Sequence, residues 1–137
     1  MCQKLFILMG FLLLAACSEP QSYFDKQTQL YWQHCPAGQQ MSFNRCYGTV
    51  KTLQWQEALR YCAALKTNQQ SWRLASRTEL LAYYHYYGTK KLPIINLYWS
   101  SSTDPSNPQL AWYLIPQLNW LYANLKELDG LVLCVSS

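Results

Sequence analysis

The residues best equipped for chemistry in this chain are four cysteines, Cys35, Cys46, Cys62 and Cys134. The first two bracket the stretch CPAGQQMSFNRC, with Tyr47-Gly48 just beyond. Such a pair can be half of a zinc knuckle, a redox couple, or a disulfide that closes a hairpin. Zinc fits poorly. No Cys-x-x-Cys occurs, and the two histidines, His34 and His85, do not combine with cysteines at zinc spacing. The choice between redox and structural sulfur then turns on the compartment.

The other titratable groups form no catalytic set. His34 abuts Cys35 and reads as structural; His85 sits among four tyrosines and reads as exposed. Glu57 and Glu79 fall on predicted helices, and Asp104 falls in a turn. Catalysis needs a nucleophile with a base, paired carboxylates, or a metal cluster. Calcium needs six to eight oxygen ligands, which seven scattered carboxylates do not assemble. No enzyme activity, metal or other cofactor is expected.

Residues 1–16 read as an export signal. One lysine, Lys4, precedes an apolar run from Leu5 to Leu14, too short to span a bilayer and right for a signal-peptide core. The run ends in Leu14-Ala15-Ala16-Cys17, which resembles a bacterial lipobox. That resemblance implies cleavage before Cys17 and acylation, palmitate included, at Cys17. Ser18 rather than an aspartate follows, so the outer membrane is the expected destination. Several acyl chains anchor stably, since each buried CH₂ contributes about 0.8 kcal/mol.

In an exported chain, four remaining cysteines favour a disulfide framework. Three connectivities are open. One of them pairs Cys35 with Cys46 across a small hairpin and leaves Cys62 to Cys134. The processed chain, 17–137, carries ten basic and seven acidic residues, a mild +3. Its basic residues are scattered, so nucleic acid is not an expected partner. All six tryptophans and eleven tyrosines lie in this part. Residues 17–30 are polar after the cysteine and lack periodicity; they read as a lipidated tether, leaving 31–137 as one domain.

Within that domain, 52–67 predicts a helix with Trp55, Leu59, Cys62 and Leu65 on its apolar face. A second helix is predicted over 76–88, with Ser76 and Glu79 as a capping box and Gly88 as its stop. Leu80, Leu81, Tyr84 and Tyr87 form its inner face, which leaves Tyr83 and Tyr86 outward near Lys90 and Lys91. Strand patterns follow at 96–102, 109–115, 119–125 and 130–136, with a turn-rich loop at 103–108. Helices first and strands after predict an α+β domain with a small, mostly antiparallel sheet.

The order CPAG…CYG…W…A…YC resembles the opening of the long-form C-type lectin-like fold. WRLASRTELLAY, YWSSS, AWYL and LVLCV narrow the likeness to the C-terminal domain of bacterial collagen-like adhesins, over roughly 35–136. The resemblance implies two disulfides, Cys35–Cys46 in an N-terminal hairpin and Cys62–Cys134 from the first helix to the last strand. Ala75 and Leu133 depart from the family's proline and arginine, and the calcium motifs of sugar-binding animal lectins are absent. The implied role is ligand binding or adhesion. The partner expected is a polysaccharide of glycosaminoglycan type or another envelope protein, the latter making the chain an accessory subunit. Formylglycine-generating enzymes share the broad fold and give an enzymatic alternative, but they need a reactive cysteine pair. The candidate ligand residues are Tyr83, Tyr86, Lys90, Lys91, Trp120 and Tyr122. Trp55, Trp72, Trp99 and Trp112 are expected in the core.

Overall fold

A computed structural model describes residues 18–92 and 96–137. The expected signal peptide and Cys17 lie outside the described residues. The architecture is α+β, as the sequence predicts. Strands β1 (Ser22–Asp25), β2 (Leu30–Gln33), β3 (Gln40–Ser42) and β4 (Arg45–Tyr47) precede helix α1 (Trp55–Ala64). Then come β5 (Arg73–Leu74), α2 (Arg77–Tyr87), β6 (Tyr98–Asp104), β7 (Asn107–Ile115), β8 (Trp120–Leu125) and β9 (Cys134–Ser136). The strands form a four-stranded sheet, β1-β2-β9-β5, a three-stranded sheet, β6-β7-β8, and the separate hairpin β3-β4. Every ladder is antiparallel.

Helix α1 buries Trp55, Ala58 and Cys62, a spacing of three and four that makes one stripe. It starts where the Gln54 backbone N–H donates to the Glu57 carboxylate at 3.3 Å. Helix α2 has the predicted capping box. Glu79 N donates to Ser76 Oγ at 3.2 Å, and Ser76 N donates to Glu79 Oε2 at 2.8 Å. Arg73 clamps the same carboxylate with two nitrogens at 2.8 and 2.7 Å. Gly88 ends the helix at φ 56°.

The phase of α2 differs from the predicted one. Its buried residues are Leu80 and Tyr83, while Leu81 is exposed. Tyr83, expected outward, is 1% exposed. Its ring stacks on Trp32 with centroids 4.0 Å apart, and its hydroxyl shares a 2.6 Å hydrogen bond with the Tyr23 hydroxyl. A tyrosine with a partner for its hydroxyl is as good a core residue as leucine. Trp55, Trp72 and Trp99 are buried as expected. Trp112 is only half-buried, beneath the Arg77 guanidinium at 4.7 Å from its ring centre.

The tether boundary is also corrected. Ser22–Asp25 is a sheet strand paired with β2, so the folded domain begins before residue 31. Ser22 and Asp25 are buried polar residues, which is why no apolar alternation marks this strand. Asp25 organises the β1–β2 turn by accepting from Thr28 N at 2.8 Å and Thr28 Oγ1 at 2.5 Å. It also accepts from the Tyr87 hydroxyl and so ties α2 to the turn.

Both disulfides pair as the resemblance implies, Cys35–Cys46 and Cys62–Cys134. The first sits under a turn that only glycine fits. Gly38 lies at φ +89°, and a Cβ there would come within 2.3 Å of the Thr49 carbonyl oxygen.

Burial works against the Asp25 charge, but hydrogen bonds from Thr28 and Tyr87 outweigh it and hold the carboxyl below its ordinary 3.8. A group with a depressed folded pKa stabilises fully above the unfolded value and loses that contribution as pH falls. Asp25→Asn is therefore expected to lower stability at neutral pH by about 1–3 kcal/mol. It should also flatten the further loss below about pH 4, as denaturant titrations at several pH values would show.

Candidate functional site

The end of β2, the β3–β4 hairpin and the turn after α2 enclose a cleft of about 480 Å³. Its polar lining is His34, Gln39, Asn44, Arg45, Lys90 and Lys91; Pro36, Met41 and Cys46 complete the wall. No lining residue is acidic. Three cationic side chains, with amides that can donate, form a surface suited to oxyanions.

Local structure explains how distant residues meet here. His34 and Arg45 each precede a cysteine of the Cys35–Cys46 bridge, whose Cα atoms are 5.6 Å apart. The bridge thus sets the backbones of His34 and Arg45 side by side. Lys90 and Lys91 arrive from the end of α2, which Tyr83 and Tyr87 fasten to β1. Lys91 is placed by a cation–π contact, its Nζ 4.5 Å from the Tyr23 ring centre. The Tyr23 ring also contacts the His34 imidazole, centroids 4.7 Å apart. Tyr23 is therefore the shelf on which one wall of the cleft rests. Burial pushes the Tyr23 phenol up to about 12. It stays neutral and leaves the positive charge of the cleft intact.

Burial, and then the Lys91 ammonium, hold His34 below its ordinary 6.5; Glu19 acts in the opposite sense. The imidazole is thus neutral at pH 7 and becomes a further cation only on acidification.

Of the six candidate ligand residues, Lys90 and Lys91 line the cleft. Tyr83 is in the core. Tyr86 is exposed on α2, its ring edge-on to His85 at 5.9 Å, and does not line the cleft. Trp120 and Tyr122 are exposed on β8, the outer strand of the three-stranded sheet. Tyr122 stacks on Tyr113 at 5.9 Å, and Trp120 stands 63% exposed. The site residues that sequence reasoning missed are His34, Gln39, Asn44 and Arg45. The available signal was their place inside or beside the small disulfide loop. Among the described residues, no three of His, Cys, Asp and Glu are grouped as metal ligands.

A family model, that of the Lcl C-terminal domain, matches residues 21–136. No curated protein matches the chain. The matched span starts one residue before β1 and ends at the last residue of β9.

An NMR titration should find the His34 pKa below 6.5. Lys91→Gln should raise it and Glu19→Gln should lower it, because each change removes the charge that moves it the other way.

Proposed function

Because the chain belongs to the family of Lcl C-terminal domains, we propose that it is a non-catalytic binding domain whose basic cleft holds an anionic polysaccharide. Family membership supports an adhesin-like or binding role and reaches no particular ligand. The observation that carries the finer reading is the cleft itself, where Arg45, Lys90 and Lys91 converge with no carboxylate among the lining residues. Sulfate or carboxylate groups of a glycan would bond to the guanidinium and ammonium groups, and Gln39 and Asn44 offer amides for hydroxyls. Non-calcium recognition of this kind fits a lectin-like domain that lacks the calcium motifs.

We further propose that the domain is anchored through lipid on Cys17 at the outer membrane, on the strength of the Leu14-Ala15-Ala16-Cys17 sequence. A second reading is an accessory subunit of an envelope assembly. Trp120 and Tyr122 favour it, since both are exposed on the outer strand β8 and, two residues apart, share one face of it. An exposed aromatic pair of that kind is what a protein partner covers. Affinity capture from crosslinked cells tests that reading: near-stoichiometric recovery of one envelope protein, lost with Trp120→Ala, would support it.

The leading reading is tested on a glycan array that includes sulfated and acidic polymers. Binding is expected to those polymers and not to neutral ones, and to weaken with salt as charge is screened. Arg45→Gln and Lys91→Gln should each lower affinity by about tenfold, whereas Trp120→Ala leaves it unchanged. Affinity should rise as His34 protonates below pH 6.5. Equal binding to neutral and sulfated polymers would overturn the assignment.

A further inference from the structure

The tip of the β3–β4 hairpin carries a phenylalanine that the fold does not use. Phe43 is 83% exposed and sits at φ 47°, followed by Asn44 at φ 58°. Two consecutive left-handed residues make the tight turn that suits a hairpin, and Asn and Gly are the residues that adopt it cheaply. A bulky side chain at the first position is strained there. Its ring gains no core packing in return. Phenylalanine at this point therefore costs stability, and strain retained at an exposed position points to a use outside the fold.

The position of the tip says what that use is. The segment after Cys17 is laced along the hairpin by its side chains. Glu19 accepts from Phe43 N at 2.8 Å and from Asn44 N at 3.3 Å. The Gln21 amide accepts from Met41 N at 2.8 Å and donates to Met41 O at 3.1 Å. Glu19 is two residues beyond Cys17, so the extended chain between them covers at most about 7 Å. The hairpin tip is thus held at the point where the chain leaves for its N-terminus. A groove of about 570 Å³ beside it adds Met41 and Tyr47 to Phe43, against Ser18 and Glu19. Apolar and aromatic side chains settle at the headgroup boundary of a bilayer, roughly 5–10 Å deep.

We propose that Phe43 is a second membrane contact, inserting into the lipid interface next to the acylated Cys17. The proposal rests on the anchoring reading of Cys17. One lipid anchor alone leaves a domain free to tumble on its tether. A wedge hydrogen-bonded to Glu19, itself two residues from Cys17, removes that freedom and gives the domain one orientation on the lipid surface.

The test separates this contact from lipidation itself. Residues 18–137 carry both disulfides and both parts of the core. They are tethered through an N-terminal hexahistidine to phosphatidylcholine vesicles that contain a small share of nickel-chelating lipid; Arg45 and the lysines are unchanged in every variant, so any pull of that headgroup on them is common to all. In Phe43→Trp, lipids brominated on the acyl chain are expected to quench the added emission beyond that of the unaltered protein. In Phe43→Gly, retention against competing imidazole should fall by about tenfold, while Tm stays level or rises because glycine relieves the turn. Unquenched added emission in a folded Phe43→Trp protein overturns the proposal. So does a Phe43→Gly variant that is retained as well as the unaltered protein, or that loses Tm as a core residue would. The intact mass of the full-length chain from membranes reports acylation of Cys17 separately. Lack of acyl chains would sink the anchoring reading and, with it, the cellular setting of the wedge, whatever the vesicles show. Acyl chains with no vesicle contact would sink the wedge alone.

Discussion

The closing segment, residues 130–136, is the constraint on which the rest of the structure depends. It holds no charged residue, and Leu131 through Ser136 are all buried. Its backbone reaches almost every unit of the fold. Gly130 pairs with Leu53 just before α1, and Leu131 accepts from Trp99 N of β6. Val132 O takes the Ala37 N–H at the root of the hairpin. Then β9 pairs with β2 on one side and β5 on the other. Cys134 binds α1 through Cys62 across a sequence separation of 72. A bridge over a loop of that length removes about 4 kcal/mol of unfolded-state entropy in the simple model, against about 3 for the eleven-residue one. This one segment thus fastens β2, β5, β6 and α1 together.

With the interior secured there, the β3–β4 hairpin need contribute little to the core, and the end of α2 enters it through Tyr83. Polar and aromatic contacts do the rest of the fastening. Asp25, Thr28 and Tyr87 form one hydrogen-bonded knot, and Trp32 Nε1 adds to it by donating to Thr28 Oγ1 at 2.7 Å. Tyr23 and Tyr83 form another, with Lys91 above the Tyr23 ring. Buried polar groups of this kind stabilise only when paired, so they fix geometry tightly. The basic cleft is the outer side of that arrangement. The hairpin serves two surfaces at once: Arg45 and Asn44 face the cleft, and Phe43 lines the groove beside Ser18.

Much of the architecture was legible because its signals are local. The Ser76–Glu79 box, Gly88, and the Trp55 and Cys62 stripe each lie within one or two turns of helix and needed no tertiary information. The strands over 98–104, 107–115 and 120–125 likewise follow from β-rich runs between turn residues. What sequence reasoning missed depends on partners far away in the chain. Nothing near Tyr83 says that Trp32 and Tyr23 wait to receive it, so the helix was phased on Leu81. Strand β1 was missed because Asp25 and Ser22, polar in sequence, are buried by hydrogen bonding. The cleft was half seen. Lys90 and Lys91 stand out as a pair, but His34 and Arg45 become their neighbours only through a disulfide and a hairpin. Trp120 and Tyr122 are exposed on β8 but do not line the cleft with the cations.

The proposed ligand surface is the cleft and not the aromatic face of β8. The most direct measurement is an NMR titration of the folded domain with a short sulfated oligosaccharide, following backbone, His34 imidazole and Trp120 indole signals together. The account predicts shifts at His34, Gln39, Asn44, Arg45, Lys90 and Lys91 that saturate together, with the Trp120 indole unmoved. Shifts centred on Trp120 and Tyr122, with the cleft silent, would contradict it.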